Sequence, residues 1–202
     1  MDLGQPGRPA PVPTLVIALF DDSGSVVSTG GTDPAAQRFA EVDSALTLVA
    51  RYGSSHELGA VLHFDSPSRA DVAPMPLTRR GVARLRTGLR VPPDGAGSSV
   101  LAPSLAQAVA LAQAHPRHEV TLVALSDFQL LDPDPPQVLA ALAAFPGRVH
   151  AVVLGSQVGD EVFDTRISLS RIDQHSQPGA VGRALFASLV AHRPGSSVCA
   201  EL

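Results

Sequence analysis

Leu15-Val16-Ile17-Ala18-Leu19-Phe20-Asp21-Asp22-Ser23-Gly24-Ser25 is the stretch that decides the fold of this chain. Its apolar run, bounded by turn-forming residues, predicts a strand buried on both faces, as in the middle of a parallel sheet. Carboxylates and hydroxyls follow directly, at the edge where open α/β sheets bind ligands. A desolvated carboxylate needs a partner or a cation, but an oxygen-rich turn also suits a helix cap. Both interpretations stay open on these residues alone.

Strands and helices alternate along the rest of the chain. Further strands are predicted at 58–64, 120–125, 148–154 and 167–172, and helices from Thr32 or Asp33 to Gly53, over 79–90 with Thr78 as cap, from Ser98 or Ser99 past Ala112, and over 137–144 and 180–192. Two prolines confine residues 70–77 to a short antiparallel edge strand or a loop. The pattern predicts an α/β fold with a doubly wound, mostly parallel central sheet and helices on both faces.

Composition predicts one domain, at residues 13–193 of the 202. Residues 1–12, rich in Pro and Gly, are expected to be a disordered leader, and residues 194–202 a flexible tail. Cys199 is the only cysteine, so no internal disulfide can form, and no apolar run reaches the length of a membrane span. The net charge of -4, with fifteen arginines and no lysine, does not suggest nucleic-acid binding. We expect a cytoplasmic protein.

Polar side chains also follow the 120–125 strand, where Ser126 and Asp127 come next. If this strand and the first one flank the point where strand order reverses, their polar ends converge on one crevice, with the 97–99 loop nearest to close it. The converging side chains are Asp21, Ser23, Ser25 and Asp127. Such an all-oxygen set with few fixed charges suits Mg²⁺, with Mn²⁺ next, better than zinc or copper. His63, inside the second strand, is instead expected to be a hydrogen-bonded core residue.

Three segments carry a resemblance to a known family. Asp21 to Ser25 matches the DxSxS motif of von Willebrand factor type A (VWA) domains, whose metal-ion-dependent adhesion site is built from three loops. Gly97 to Leu105 resembles the second loop, and Leu125-Ser126-Asp127 resembles the third. The resemblance spans roughly residues 13–193. In two places the chain departs from the family: Ser99 stands where a threonine is usual, and Phe128 stands where glycine is frequent.

The resemblance implies a metal site and a function. It implies that Mg²⁺ is held by Asp21, Ser23, Ser25, Ser99 and Asp127, the carboxylates acting directly or through water. One coordination position would stay open for an aspartate or glutamate of a partner protein, since a cation with few charged ligands still attracts an anionic oxygen. By fold-level analogy, the expected role is that of a bacterial intracellular adaptor working with an AAA-type ATPase or another operon-encoded complex.

An enzymatic alternative uses the same first aspartate. An aspartate after a buried strand also resembles a phosphohydrolase of haloacid-dehalogenase-like type, with Asp21 as nucleophile. That chemistry needs a second aspartate two residues on, where this chain has Ser23, and a lysine, which this chain lacks. We therefore expect a binding module without catalysis of its own.

Overall fold

The computed structural model describes residues 2–33, 35–65, 67–92, 97–155, 157–173 and 175–199. The strands are β1 Gly4–Gln5, β2 Thr14–Phe20, β3 Glu57–His63, β4 Val72–Pro76, β5 Glu119–Ser126, β6 Arg148–Leu154, β7 Ile167–Ile172 and β8 Ser197–Val198. The helices are α1 Gly24–Val27, α2 Gln37–Ala50, α3 Arg79–Leu85, α4 Ala102–Ala114, α5 Pro135–Ala143 and α6 Ala180–Val190. Within these ranges, no helix has both the length and the apolar character needed to cross a membrane.

Six strands form the central sheet, in the order β4-β3-β2-β5-β6-β7. Only β4, at one edge, runs antiparallel to its neighbour, and the other pairings are parallel. The chain leaves β2 towards one edge through β3 and β4, then returns to β5 on the other side of β2. The doubly wound sheet is thus confirmed, and β2 and β5 flank the point where strand order reverses.

Apolar layers cover both faces of this sheet. Every residue of β2 is buried, and successive side chains point to opposite faces, as strand geometry requires. Val16, Ala18 and Phe20 lie in one core cluster with residues of α2, α3 and α6. Leu15, Ile17 and Leu19 lie in the other, with residues of α4 and α5. The six-residue apolar run therefore forms the centre of both layers.

Two helices begin later than the sequence indicated. Helix α2 starts at Gln37, whose amide donates to Oδ1 of the predicted cap residue Asp33 over 2.9 Å; Pro34 lies outside the described residues. Helix α4 starts at Ala102, not at Ser98 or Ser99. The Asp132 carboxylate accepts the amides of Leu101 and Ala102, each at 2.9 Å.

The terminal segments also differ from their predicted disorder. Strands β1 and β8 pair antiparallel, and Leu3 and Ala10 are buried. Buried Arg193 places its Nε 3.0 Å from Glu57 Oε1, tying the chain after α6 to the start of β3. Backbone pairing and buried charge therefore hold segments whose Gly and Pro content suggested a leader and a tail. The domain limits of 13–193 stay a prediction.

Candidate metal centre

Asp21 is the first residue beyond β2, and its side chain is fixed on both oxygens. Its backbone amide donates to Leu125 O over 2.9 Å, which joins the ends of β2 and β5. Its Oδ1 accepts the amide of Ser23 at 2.9 Å, and its Oδ2 accepts the Ser126 hydroxyl at 2.5 Å. The carboxylate is fully buried, so its orientation is set before any ligand arrives.

Asp127 brings a second buried carboxylate to the same edge. Burial raises the pKa of Asp21; hydrogen bonds from Ser126 and Ser23 lower it, and the charge of Asp127 raises it further. Asp127 is also fully buried, and its oxygens accept the backbone and side-chain amides of Gln129, each at 3.1 Å. Neither carboxylate forms an ion pair with any described residue. The charges of these two buried acids therefore repel each other, and no cationic side chain in the described part of the chain pairs with either.

The hydroxyls of Ser23 and Ser25 lie beside this pair. Their oxygens are 3.0 Å apart, with Ser23 buried and Ser25 half-buried. The short helix α1 explains this placement, because its first turn folds back on Ser23, whose carbonyl accepts the amides of Val26 and Val27, each at 3.0 Å. Of the expected site residues, the structure thus brings Asp21, Ser23, Ser25 and Asp127 to one edge.

The loop carrying Ser99 runs alongside the first loop. Gly97 donates its amide to Asp22 O over 3.1 Å and forms a β-bridge with Ser23. A Cβ at Gly97 would lie 2.7 Å from Asp65 Oδ2, so a larger residue there would require the exposed Asp65 side chain to move. Ser99 itself is buried, and its carbonyl accepts the amide of Leu131 at 2.9 Å. The backbone contacts place the Ser99 loop beside Ser23; residues 93–96 lie outside the described chain.

Asp22, the neighbour of Asp21, belongs to a hydrogen-bonded network that the sequence did not predict. Its Oδ1 accepts from Arg38 Nη2 at 2.6 Å, and its Oδ2 lies 2.5 Å from His63 Nδ1. Arg38 also donates to Asp33 Oδ2 at 2.7 Å and to Asp21 O at 3.2 Å. His63 Nε2 lies 2.9 Å from Gly88 O, a carbonyl that can only accept. The predicted role of His63 as a hydrogen-bonded core residue is therefore confirmed.

The sequence contains only a weak indication of this network. Arg38 stands next to Phe39 on the apolar side of α2, and an arginine there indicates a buried carboxylate partner without saying which one. Ser126 was missed too, although it stands between the strand and Asp127. Its hydroxyl donates to Asp21 and accepts the Phe128 amide at 2.7 Å, so it orients both acidic loops.

The side chains present fit a hard divalent cation. Among the described residues, no three histidine, cysteine, aspartate or glutamate side chains cluster in a way that could hold a metal ion. The set at this edge is instead two buried carboxylates with neighbouring hydroxyls, which is oxygen only. Mg²⁺ and Mn²⁺ favour such ligands and keep water in their shell, whereas zinc and copper favour nitrogen and sulfur. A cation would also relieve the repulsion between Asp21 and Asp127.

Solved structures share this fold. One described as von Willebrand factor type A from Catenulispora acidiphila is 12% identical with a TM-score of 0.61, and the match covers 94% of this chain and 48% of that one. Pilus adhesin SpaC from Lactobacillus rhamnosus GG is 14% identical with a TM-score of 0.66, covering 92% and 31%. The SpRpn10 VWA domain is 12% identical with a TM-score of 0.52, covering 94% and 100%.

The chain thus spans about half or less of the first two structures and the full length of the third. No family model and no curated protein matches the sequence. At these identities the similarity shows a common fold, so the expectation of a VWA-like architecture is confirmed. The metal role of the five predicted residues stays a prediction.

Proposed function

We propose that this chain is a Mg²⁺-dependent protein-binding module that recognises a carboxylate of its partner. One observation carries the proposal: Asp21 and Asp127 are both buried at the strand-order reversal, and no described cationic side chain pairs with either. Burying unpaired carboxylates costs free energy unless a cation compensates them. This edge is also where ligands bind in open α/β sheets.

Each residue of the centre has a proposed role. Ser23, Ser25 and Ser99 offer hydroxyl oxygens to the ion, and Asp21 and Asp127 hold it directly or through water. Mg²⁺ is the expected ion and Mn²⁺ the next best, because both take oxygen ligands in octahedral shells. When bound, the ion supplies an electrophilic position for an anionic oxygen, which the partner's aspartate or glutamate fills.

The proposed role is binding and not catalysis. A phosphohydrolase of the haloacid-dehalogenase type would need a second acid at position 23 and a lysine, and the chain has neither. The wider setting, a cytoplasmic bacterial complex containing an AAA-type ATPase or other operon-encoded proteins, belongs to the proposal and rests on the family resemblance alone.

Calorimetric titration of Mg²⁺ into the protein tests the centre. We expect weak binding by the parent chain and at least a tenfold loss in the double variant Ser23→Ala with Ser25→Ala. The melting temperature should move little, because β2 and its core are untouched. Ser44→Ala with Ser168→Ala, which removes exposed hydroxyls elsewhere, is the matched control and should bind like the parent. Tight selection of zinc, or unchanged Mg²⁺ binding by the double variant, would show that the centre is misassigned.

A further inference from the structure

An apolar groove lies on the same edge of the sheet as the metal centre. Its cavity measures about 720 Å³, within the range of small-ligand and side-chain pockets. The apolar side chains that line it are Phe128, Leu130, Leu139, Val158, Val162 and Phe163. They come from the loop after β5, from α5 and from the loop after β6. Because these loops follow parallel strands, the groove opens where the metal centre opens.

Phe128 makes the groove continuous with the centre, because it directly follows Asp127. Its φ of 56° is unusual for an aromatic residue, and it turns the chain sharply after the acidic side chain. The ring is buried and packs edge-on against Phe163, with centroids 4.9 Å apart and planes at 88°. Where VWA domains frequently have glycine, this chain therefore has the floor of an apolar groove.

The mouth of the groove combines apolar exposure with one unpaired charge. Val162 is 44% exposed, and Leu131, next to a lining residue, is 69% exposed. Asp164 is paired with Arg166 through two hydrogen bonds, of 2.9 and 3.0 Å. Glu161 forms no ion pair with any described residue. The groove thus offers an apolar interior and, at its rim, a carboxylate without an ion-pair partner in the described part of the chain, which complements an apolar side chain accompanied by a positive charge.

We propose that the groove is the specificity site for the partner segment whose acidic residue reaches the metal. That segment carries a leucine-sized apolar side chain within a few residues of its acid, and a neighbouring arginine or lysine that pairs with Glu161. The inference rests on the proposed function, since the metal centre supplies the first anchor and the groove selects among acidic segments. Burying one leucine side chain corresponds to at least a tenfold gain in affinity.

NMR titration of the ¹⁵N-labelled chain in Mg²⁺ tests this, using defined synthetic peptides. The reference peptide has a single glutamate in a Gly/Ser background. Two test peptides add Leu-Arg, one before and one after the glutamate at a spacing of one glycine. We expect one test peptide to bind at least tenfold more tightly than the reference and to shift the amides of Phe128, Val158 and Val162. In Val162→Arg the gain should vanish, with Mg²⁺ affinity retained.

Matched variants separate the parts of the proposal. Val12→Arg, at a similarly exposed valine (40%) outside the groove, should keep the gain. Glu161→Gln should lower the affinity for the Leu-Arg peptide about threefold, which is the contribution of one exposed ion pair. If the reference peptide binds with Mg²⁺ but Leu-Arg adds nothing, the groove inference fails and the proposed function stands. If the Leu-Arg peptide binds as tightly in EDTA as in Mg²⁺, the metal proposal fails, and the groove binds peptide without selecting among metal-anchored acidic segments. Concentration-dependent dimers broken by Val162→Arg would identify a second copy as the occupant and overturn the inference.

Discussion

Asp21 and Asp22 are adjacent in the chain and both are buried, yet their charges are compensated in opposite ways. Asp22 touches the guanidinium of Arg38 at 2.6 Å and the imidazole of His63 at 2.5 Å. The Asp21 carboxylate accepts from a hydroxyl and a backbone amide, and the charge that acts on its pKa is that of another carboxylate, Asp127. One acid is compensated from inside the fold, and the other has no cationic partner for its carboxylate among the described residues.

The difference follows from the alternation of side chains at the end of β2. Residues 21 and 22 leave the strand on opposite sides, so Asp22 meets α2 and β3 while Asp21 meets the end of β5. The Gly88 carbonyl can only accept, so His63 donates to it from Nε2, while its Nδ1 contacts the Asp22 carboxylate. Asp22, Arg38 and His63 thus form a closed network, which holds the loop after β2 in place.

The largest expected effect is on the free energy of unfolding, when the Arg38 guanidinium is removed from the Asp22 network. Arg38→Met removes the guanidinium, whose carbon lies 4.4 Å from the centre of the Phe39 ring, and so strips Asp22 and Asp33 of their cation. Leaving buried charge uncompensated typically costs about 3–5 kcal/mol. We expect the free energy of unfolding, measured by urea denaturation, to fall by that amount.

Arg80→Met, at an exposed arginine on α3, is the matched control and should change the free energy of unfolding by less than about 0.5 kcal/mol. A similarly small loss for Arg38→Met would mean that Asp22 can be compensated by His63 alone. The contrast with Asp21 would then lose its basis.

The two acids also differ in how far the sequence could predict them. The position of Asp21 follows from local information: an apolar run fixes β2, a second run fixes β5, and parallel strands bring their ends together. The partners of Asp22 lie 16 and 41 residues away, and only the packing of α2 and β3 brings them in. Periodicity indicates that Arg38 lies near the core but carries no information on which acid it meets.

The same limit explains the errors at the start of α4 and at the chain termini. Ser98 and Ser99 are good local caps, but Asp132, some 30 residues further on, accepts the amides at the start of α4 instead. The pairing of β1 with β8 joins opposite ends of the sequence, and no local pattern of Gly and Pro encodes it. Strands were predictable from runs of residues; contacts between distant polar groups were not.

The next largest expected effect is a gain in stability, on substitution of Asp21. Burial and the charge of Asp127 raise the pKa of Asp21 above its ordinary 3.8, so folding costs free energy when this carboxyl group is ionised. The contribution of the protonated form to stability is fully present below pH 3.8 and is lost as pH rises through the raised pKa. Asp21→Asn should therefore raise the melting temperature in EDTA at pH 7, and by less at pH 4.

Adding Mg²⁺ should reverse this order. The ion stabilises only the chain that binds it, so the parent should gain in melting temperature at pH 7 and Asp21→Asn should not. Circular dichroism melts in four conditions, EDTA or Mg²⁺ at each pH, check the prediction. A variant less stable than the parent in EDTA at pH 7 would show that Asp21 is already compensated within the fold.

The smallest effect is expected where the same chemistry as the Arg38–Asp22 pair is exposed. The side chain of Arg166 donates two hydrogen bonds to Asp164 and its backbone amide donates a third, and these lower the pKa of Asp164 to about 2. Stability from such an acid is present above its ordinary value of 3.8 and is lost as pH falls towards 2. Both groups are open to water, however, and salt screens exposed charges.

Arg166→Ala should therefore leave the urea midpoint at pH 7 unchanged. In 1 M salt the pKa of Asp164 should move back towards 3.8, which a ¹³C carboxyl titration measures. A clear loss of stability in Arg166→Ala would mean that burial is not what separates the two arginine–aspartate pairs.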